Sequence, residues 1–266
     1  MPEFLKELPQ ADLALLCVAA TVGVTWLGVL LVKPFLRLLV GGEANVNATI
    51  GFATSVFSLF YGLLVGLLAV AAYQNAEAVE RAAFNEAASV SSLYADAASY
   101  PDPMRSELRE MLRDYVLYTI LKDWPAHRRG EILLGGSHRA DAMRQRLAGF
   151  SPETPSQDIL HRQVTQVFHE FSRARDARLG GVLTRIPAVL WYAVIAGAAV
   201  NIAFLIMLKI RPAPHLVLGG LVSFFLGVML FVIIALDDPL RGDGGLRPEA
   251  MSALWETRMV FDEPQV

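Results

Sequence analysis

Four stretches of the chain are apolar for long enough to cross a bilayer, and polar segments separate them. They cover residues 13–32, 49–73, 186–208 and 216–236, and none contains Asp, Glu, Lys or Arg. A helix needs about 20 apolar residues to span the hydrocarbon core. The pattern therefore predicts an all-α integral membrane four-helix protein. Two connections are short, 41–47 and the turn Arg211-Pro212-Ala213-Pro214. The expected organisation is a first transmembrane hairpin (1–73), a helical middle segment (74–185) between the second and third spans, a second hairpin (186–236) and a tail (237–266).

The middle segment carries its own helical signal. Ala76, Val79, Ala83, Ala87, Val90, Tyr94 and Ala97 recur at threes and fours, which gives one apolar face. No Gly or Pro lies between Gly66 and Pro101, so the second span is expected to run on as one long helix. Pro101-Asp102-Pro103 stops it, because proline lacks the N–H and clashes with the preceding turn. A second helix is predicted over 104–124, with Leu108, Met111, Leu112, Tyr115 and Val116 inward and Trp124-Pro125 as its end. Gly135-Gly136 and the run 151–156 read as turns. Ser156 is the expected N-cap of a helix reaching Gly180-Gly181.

Composition agrees with a membrane protein: 54% of residues are hydrophobic and 18% charged, against about 45–50% and about 25% in a soluble domain. The net charge of −3 gives no footprint for nucleic acid. The lead Met1-Pro-Glu-Phe-Leu-Lys-Glu is mixed in charge, so the first span reads as a retained helix rather than a signal peptide. Cys17, the single cysteine, cannot form an internal disulfide. Near the span ends, Lys6, Arg81, Arg173, Arg175, Arg178, Arg185, Arg241 and Arg247 lie on the side of the middle segment. Lys33, Arg37, Lys209 and Arg211 lie on the other. That bias places the middle segment and both termini in the cytoplasm.

The second span is the most informative element. On a helical wheel, one face holds Asn47, Gly51, Thr54, Ser55, Ser58, Tyr61, Gly62, Val65, Gly66, Ala69 and Tyr73; the opposite face holds Phe52, Val56, Leu59, Phe60, Leu63, Leu67 and Val70. Two readings compete. A stripe of small residues lets helices approach closely, or it is a water-facing pore surface lined by Asn47, Gly51, Thr54, Ser55, Ser58, Gly62 and Gly66. In the second reading Tyr61 and Val65 form the constriction, since hydrophobic rings gate by dewetting. In the fourth span, Gly219, Ser223 and Gly227 read as packing, and Asn201 in the third as an interhelical hydrogen bond.

Other chemistry is sparse. No Asp, Glu, His, Lys or Arg sits within the spans, which argues against proton-coupled carriers and voltage sensors. Lys33, Arg37, Lys209 and Arg211 oppose only Glu43 on the short-loop side; repeated around an oligomer they make an electropositive mouth favouring anions, or they simply snorkel to headgroups. No nucleophile, Walker loop, Cys pair or His-Glu-x-x-His occurs, so there is no case for an enzyme, a metal or a cofactor. Asp237, Asp238 and Asp243 read as a solvated turn rather than a Ca²⁺ site.

Three stretches resemble the bacterial bestrophin-like domain family. They are Asn85-Glu86-Ala87 with Leu93-Tyr94; Leu112-Arg-Asp-Tyr115-Val116 leading to Lys122-Asp-Trp124-Pro125; and Leu236-Asp-Asp-Pro239-Leu240-Arg-Gly242 followed by Pro248-Glu249. More distantly the chain is similar to bestrophins, homo-oligomeric anion channels whose pore runs along the second span and its extension. The resemblance implies a homo-oligomer in the bacterial inner membrane, a pentamer by analogy, surrounded by lipid and passing a small anion such as chloride. The competing function is a membrane-anchored interaction or sensory protein whose helical cytoplasmic segment binds partners.

Overall fold

A computed structural model describes residues 8–35, 45–240 and 245–260. Arg37, Glu43 and Asp243 lie outside the described residues. Among those described, all regular structure is helical. The order is α1 (Gln10–Leu27) with a π-helical extension (Gly28–Val32), α2 (Val46–Ala97), α3 (Met104–Tyr118) with a π turn (Thr119–Asp123), α4 (Trp124–Arg128), α5 (Gly135–Ala148), α6 (Pro155–Leu183), α7 (Ala188–Met207), α8 (Pro212–Asp237) and α9 (Glu249–Leu254). Four of these helices are long and apolar enough to cross a membrane: Gln10–Phe35, Val46–Ala97, Ala188–Met207 and Pro212–Asp237.

The chain divides into two compact units. The first takes the segments up to Asn75 and Arg185–Asp237; the second takes Ala76–Thr184 and the chain from Asp238 onward. α2 contributes to both as one uninterrupted helix, as the absence of Gly and Pro between Gly66 and Pro101 predicts.

In the first unit, α1 and α8 pack through small and hydroxyl side chains. A Cβ on Gly227 would lie 2.6 Å from Thr21 Oγ1 and 2.7 Å from Val18 Cα, so only glycine admits this approach. Thr21 Oγ1 donates to the Ser223 carbonyl at 2.8 Å, and the Thr25 and Ser223 hydroxyls bond to each other. Without a hydrophobic driving force inside a bilayer, such close packing and hydrogen bonding hold helices together. α8 starts at Pro212, earlier than expected, because prolines are tolerated in a first turn whose N–H groups have no helical partner. At its other end, Asp237 accepts from the Ile186 backbone N–H at 2.7 Å and from Trp191 Nε1 at 3.3 Å. The carboxylate thereby ties the end of α8 to the start of α7.

In the second unit the core comprises Val90, Leu93, Tyr94 and Ala97 of α2, Leu108, Leu112, Tyr115 and Val116 of α3, Met143 of α5, and Val164, Phe168 and Phe171 of α6, closed by Met251 and Met259. Three expectations fail here for local reasons. Trp124-Pro125 does not end the helix; the wider π turn before it opens space for the proline ring, and the chain continues as α4. Gly135-Gly136 open α5 rather than form a turn, because α5 begins where Tyr118 and Asp123 occupy the space of the missing side chains. The N-cap of α6 is Thr154, whose Oγ1 accepts from the Gln157 N–H at 3.2 Å, and α6 runs past Gly180-Gly181 because Val79 packs into the space left at Gly181.

Candidate functional site

The surface of α2 in the first unit is the candidate. Its arc facing α7 is closed. Val65 is only 5% exposed and packs in a cluster with Leu68, Val194 and Ile233. The Tyr61 ring fills the space left by Gly197, and its hydroxyl donates to the Val194 carbonyl at 3.2 Å. Ser58 donates to Asn201 Oδ1 at 2.6 Å, the interhelical bond expected of that amide. The two residues assigned to a constriction therefore face the inside of the chain's own first unit, because Gly197 admits the tyrosine and turns that arc of α2 inward.

The opposite arc is open. Phe52, Ser55, Val56, Leu59, Phe60, Gly62, Leu63, Gly66, Leu67 and Val70 are exposed. Gly51, Gly62 and Gly66 have no atom within 4 Å of where a Cβ would stand, unlike Gly197 and Gly227. Thr54 and Ser55 donate to carbonyls of their own helix, Ile50 and Gly51, at 2.7 and 2.8 Å. Of the expected lining set, the open arc keeps Ser55, Gly62 and Gly66, while Gly51, Thr54 and Ser58 stand at its half-buried edge. Asn47 is spent on the connection before α8: its amide donates to the Lys209 carbonyl at 2.9 Å and accepts from the Lys209 N–H at 2.7 Å.

The expected cationic mouth is only partly formed. Lys33 is buried; its ammonium donates to the Ile210 carbonyl at 2.9 Å and to His215 Nδ1. His215 Nε2 then donates to the Leu205 carbonyl at 2.9 Å. Lys33 thus organises the α7–α8 connection instead of facing outward. Lys209 is half-buried and Arg211 exposed.

The second unit encloses an ionic cluster of fully buried side chains. Arg178 of α6 donates from Nη2 to Glu86 Oε1 of α2 at 3.0 Å, from Nε to Glu86 Oε2, and from Nη1 to His127 Nδ1 at 2.9 Å. The Tyr115 hydroxyl also donates to Glu86. Burial, with Arg178 and Arg175 alongside, drives the His127 imidazole down to about 3. Burial pushes the Asp123 carboxyl up, against the pull of Arg178 and Arg175. Burial also opposes the Arg178 charge, but the Glu86 carboxylate outweighs it and raises that pKa. A buried pair of this kind persists when its remaining donors and acceptors are satisfied.

A family model described as the Bestrophin-like domain matches residues 19–251. The chain belongs to the Bestrophin-like family. Two solved structures share the fold of this Bestrophin-like chain. One is a bacterial bestrophin homologue from Klebsiella pneumoniae carrying a single substitution, at 12% identity and TM-score 0.61, covering 91% of this chain and 98% of that one. The other is a variant of a membrane protein, at 12% identity and TM-score 0.62, covering 91% and 97%. No curated protein matches. The Glu86 found by resemblance and the Asp123 and Trp124 of the second motif all belong to the ionic cluster or border it: Arg178 stacks over the Trp124 ring at 5.1 Å. Sequence reading did not single out His127 and Arg178 as partners of Glu86, because they stand 41 and 92 positions away with no periodicity joining them.

Proposed function

We propose that this chain is a homo-oligomeric ion channel in which the open arc of α2 lines the pore. The observation that carries the reading is the set Gly51, Gly62 and Gly66, which face empty space within one subunit. Glycine costs about 1 kcal/mol relative to alanine in a helix interior. Since no contact in the protomer requires its smallness there, the requirement comes from beyond it: a lumen or a neighbouring copy. Closed cyclic symmetry follows for such an assembly. A pentamer in the bacterial inner membrane, with both termini cytoplasmic, is the form that the family suggests. Ser55, Gly62 and Gly66 are the small lining positions, and Leu59, 72% exposed on the same arc, takes the constriction role first assigned to Tyr61 and Val65. A ring of leucines gates by dewetting. Lys209 and Arg211 supply the positive mouth that selects a small anion such as chloride.

The test is ion flux through liposomes containing purified protein. Leu59→Ala is expected to raise flux several-fold. Val65→Ala, on the inward arc, is expected to lower stability and leave the flux per folded assembly unchanged. Increased flux from Val65→Ala alone would return the pore face to the Tyr61 side. Arg211→Glu is expected to lower the chloride-to-sodium permeability ratio. A monodisperse monomer in detergent and in nanodiscs would instead favour the anchored interaction protein.

A further inference from the structure

The π turn and α4 divide into two faces. Thr119, Asp123, Trp124, Ala126 and His127 are buried, whereas Leu121, Lys122, Pro125, Arg128 and Arg129 are exposed. The exposed positions fall at i, i+1, i+4, i+7 and i+8, which is one continuous side of a helix. That side carries three cations and an apolar residue, Leu121, that is 62% exposed. Glu131, just beyond it, pairs with Arg129 at 3.1 Å with both side chains more than half exposed. An exposed pair of this kind is weak, and counting that acid the exposed side chains of the segment remain net positive.

The buried side fixes where this face stands. Trp124 packs in one cluster with Val79, Val182 and Leu240, and its Nε1 donates to the Leu246 carbonyl at 2.7 Å. Along the chain each of those three apolar partners is close to a membrane span. Val79 is six positions after Tyr73, the last residue of the second apolar stretch; Val182 is six before the start of α7, and Leu240 three after the end of α8. At a rise of 1.5 Å per residue, Val79 stands about 9 Å beyond the apolar part of α2. The polar zone of a bilayer adds about 5–8 Å on each side of its hydrocarbon core. α4 is thus held at the border of the headgroups. Anionic headgroups attract Lys and Arg within about one Debye length, about 8 Å at physiological salt. Apolar side chains on such a face enter the boundary between headgroups and acyl chains. A soluble acidic partner would match the charge alone, whereas a bilayer matches the charge, the leucine and the level.

We propose that the face formed by Leu121, Lys122, Pro125, Arg128 and Arg129 docks on anionic lipid headgroups and fastens the second unit to the membrane surface. The docking goes beyond the channel reading: it needs neither conduction nor a subunit number, and in a bilayer of two equal leaflets it needs no orientation. Its failure and the failure of the channel reading are therefore read separately.

The test is photocrosslinking of the full chain in nanodiscs made from equal amounts of phosphatidylcholine and phosphatidylglycerol. Benzoyl-phenylalanine in place of Leu121 should yield lipid adducts, identified by mass, with phosphatidylglycerol several-fold above its share of the bilayer. Lys122→Glu combined with Arg128→Glu should abolish that enrichment. Salt at 1 M, which shortens the Debye length to about 3 Å, should do the same without altering the chain, and so decides the matter if the double variant fails to fold. The same photoreactive residue in place of Ile159, which is 69% exposed and roughly 35 Å further along α6 than Val182, should give no lipid adduct. Three results at Leu121 would overturn the proposal. They are an adduct of doubled protein mass, which would make the face a contact between copies; lipid adducts in proportion to bilayer composition; and no adduct.

Discussion

At the scale of single residues, the second unit depends on balanced charge rather than on its apolar core alone. Glu86 and Arg178 are both 0% exposed. Replacing Glu86 with Ala leaves the Arg178 guanidinium buried and unpaired, at a cost of about 3–5 kcal/mol. Denaturant unfolding of Glu86→Ala should show it, and Glu86→Gln, which keeps one acceptor, should lose less. The same cluster sets a pH dependence. His127 stays neutral in the fold down to about 3, whereas the unfolded chain takes up that proton below about 6.5. Between those values the unfolded state binds more protons, so this residue makes stability fall as pH falls, by roughly 2 kcal/mol at pH 5. Asp123 acts in the opposite sense: its raised carboxyl favours the fold at low pH, and that contribution is lost as pH rises through its folded value. Unfolding followed between pH 7 and pH 5 should therefore give a smaller loss in His127→Asn than in wild type.

At the scale of elements, hydrophobic pattern and breakers located the spans and the long α2, because both signals are local and periodic. What the pattern left ambiguous was the rotation of α2. Its small-residue face is centred near Ser58, but the subunit buries an arc centred nearer to Tyr61 and Leu68, and a rotation of less than one residue's spacing decides whether Val65 faces in or out. Gly197, in another helix, settles that rotation, and its partner is invisible to periodicity. Substitutions at the two kinds of glycine should separate accordingly. Gly197→Leu forces Tyr61 out of its slot and should destabilise the folded subunit by about 1–3 kcal/mol, as overpacking does. Gly62→Ala meets nothing within the subunit, so thermal stability of the dissociated protomer should hold or rise by up to about 1 kcal/mol. The prolines show the same division. Pro101 and Pro103 ended a helix as expected, whereas Pro125 did not, because a π turn has no simple sequence signature.

At the scale of the whole molecule, the four spans and the family were legible from the sequence, whereas the burial of Lys33 was not. Lys33 counts as a surface cation by location; its burial depends on His215 and the carbonyl of Ile210, which approach only once α7 and α8 are in place. Orientation is a property of the assembled protein and is checked in intact cells. Cysteine substituted at Pro212 should react with an impermeant thiol reagent, while cysteine at Arg139 should not, if the orientation proposed from the Lys and Arg near the span ends holds. Labelling confined to Arg139 would invert the topology.

The open glycines also make the protein unusually easy to instrument. Cys17 is the only cysteine and it is buried in the first span, so the native chain carries almost no reactive background. A thiol introduced at Gly62 or Gly66 displaces nothing in its own subunit, and a spin label or cross-linker attached there reports separations between copies without a perturbed fold to correct for. A reporter at Val65 would disturb the packing it was meant to read. The same missing side chains thus provide ready-made ruler marks along α2, and distances between them would give the radius of the proposed homo-oligomer turn by turn.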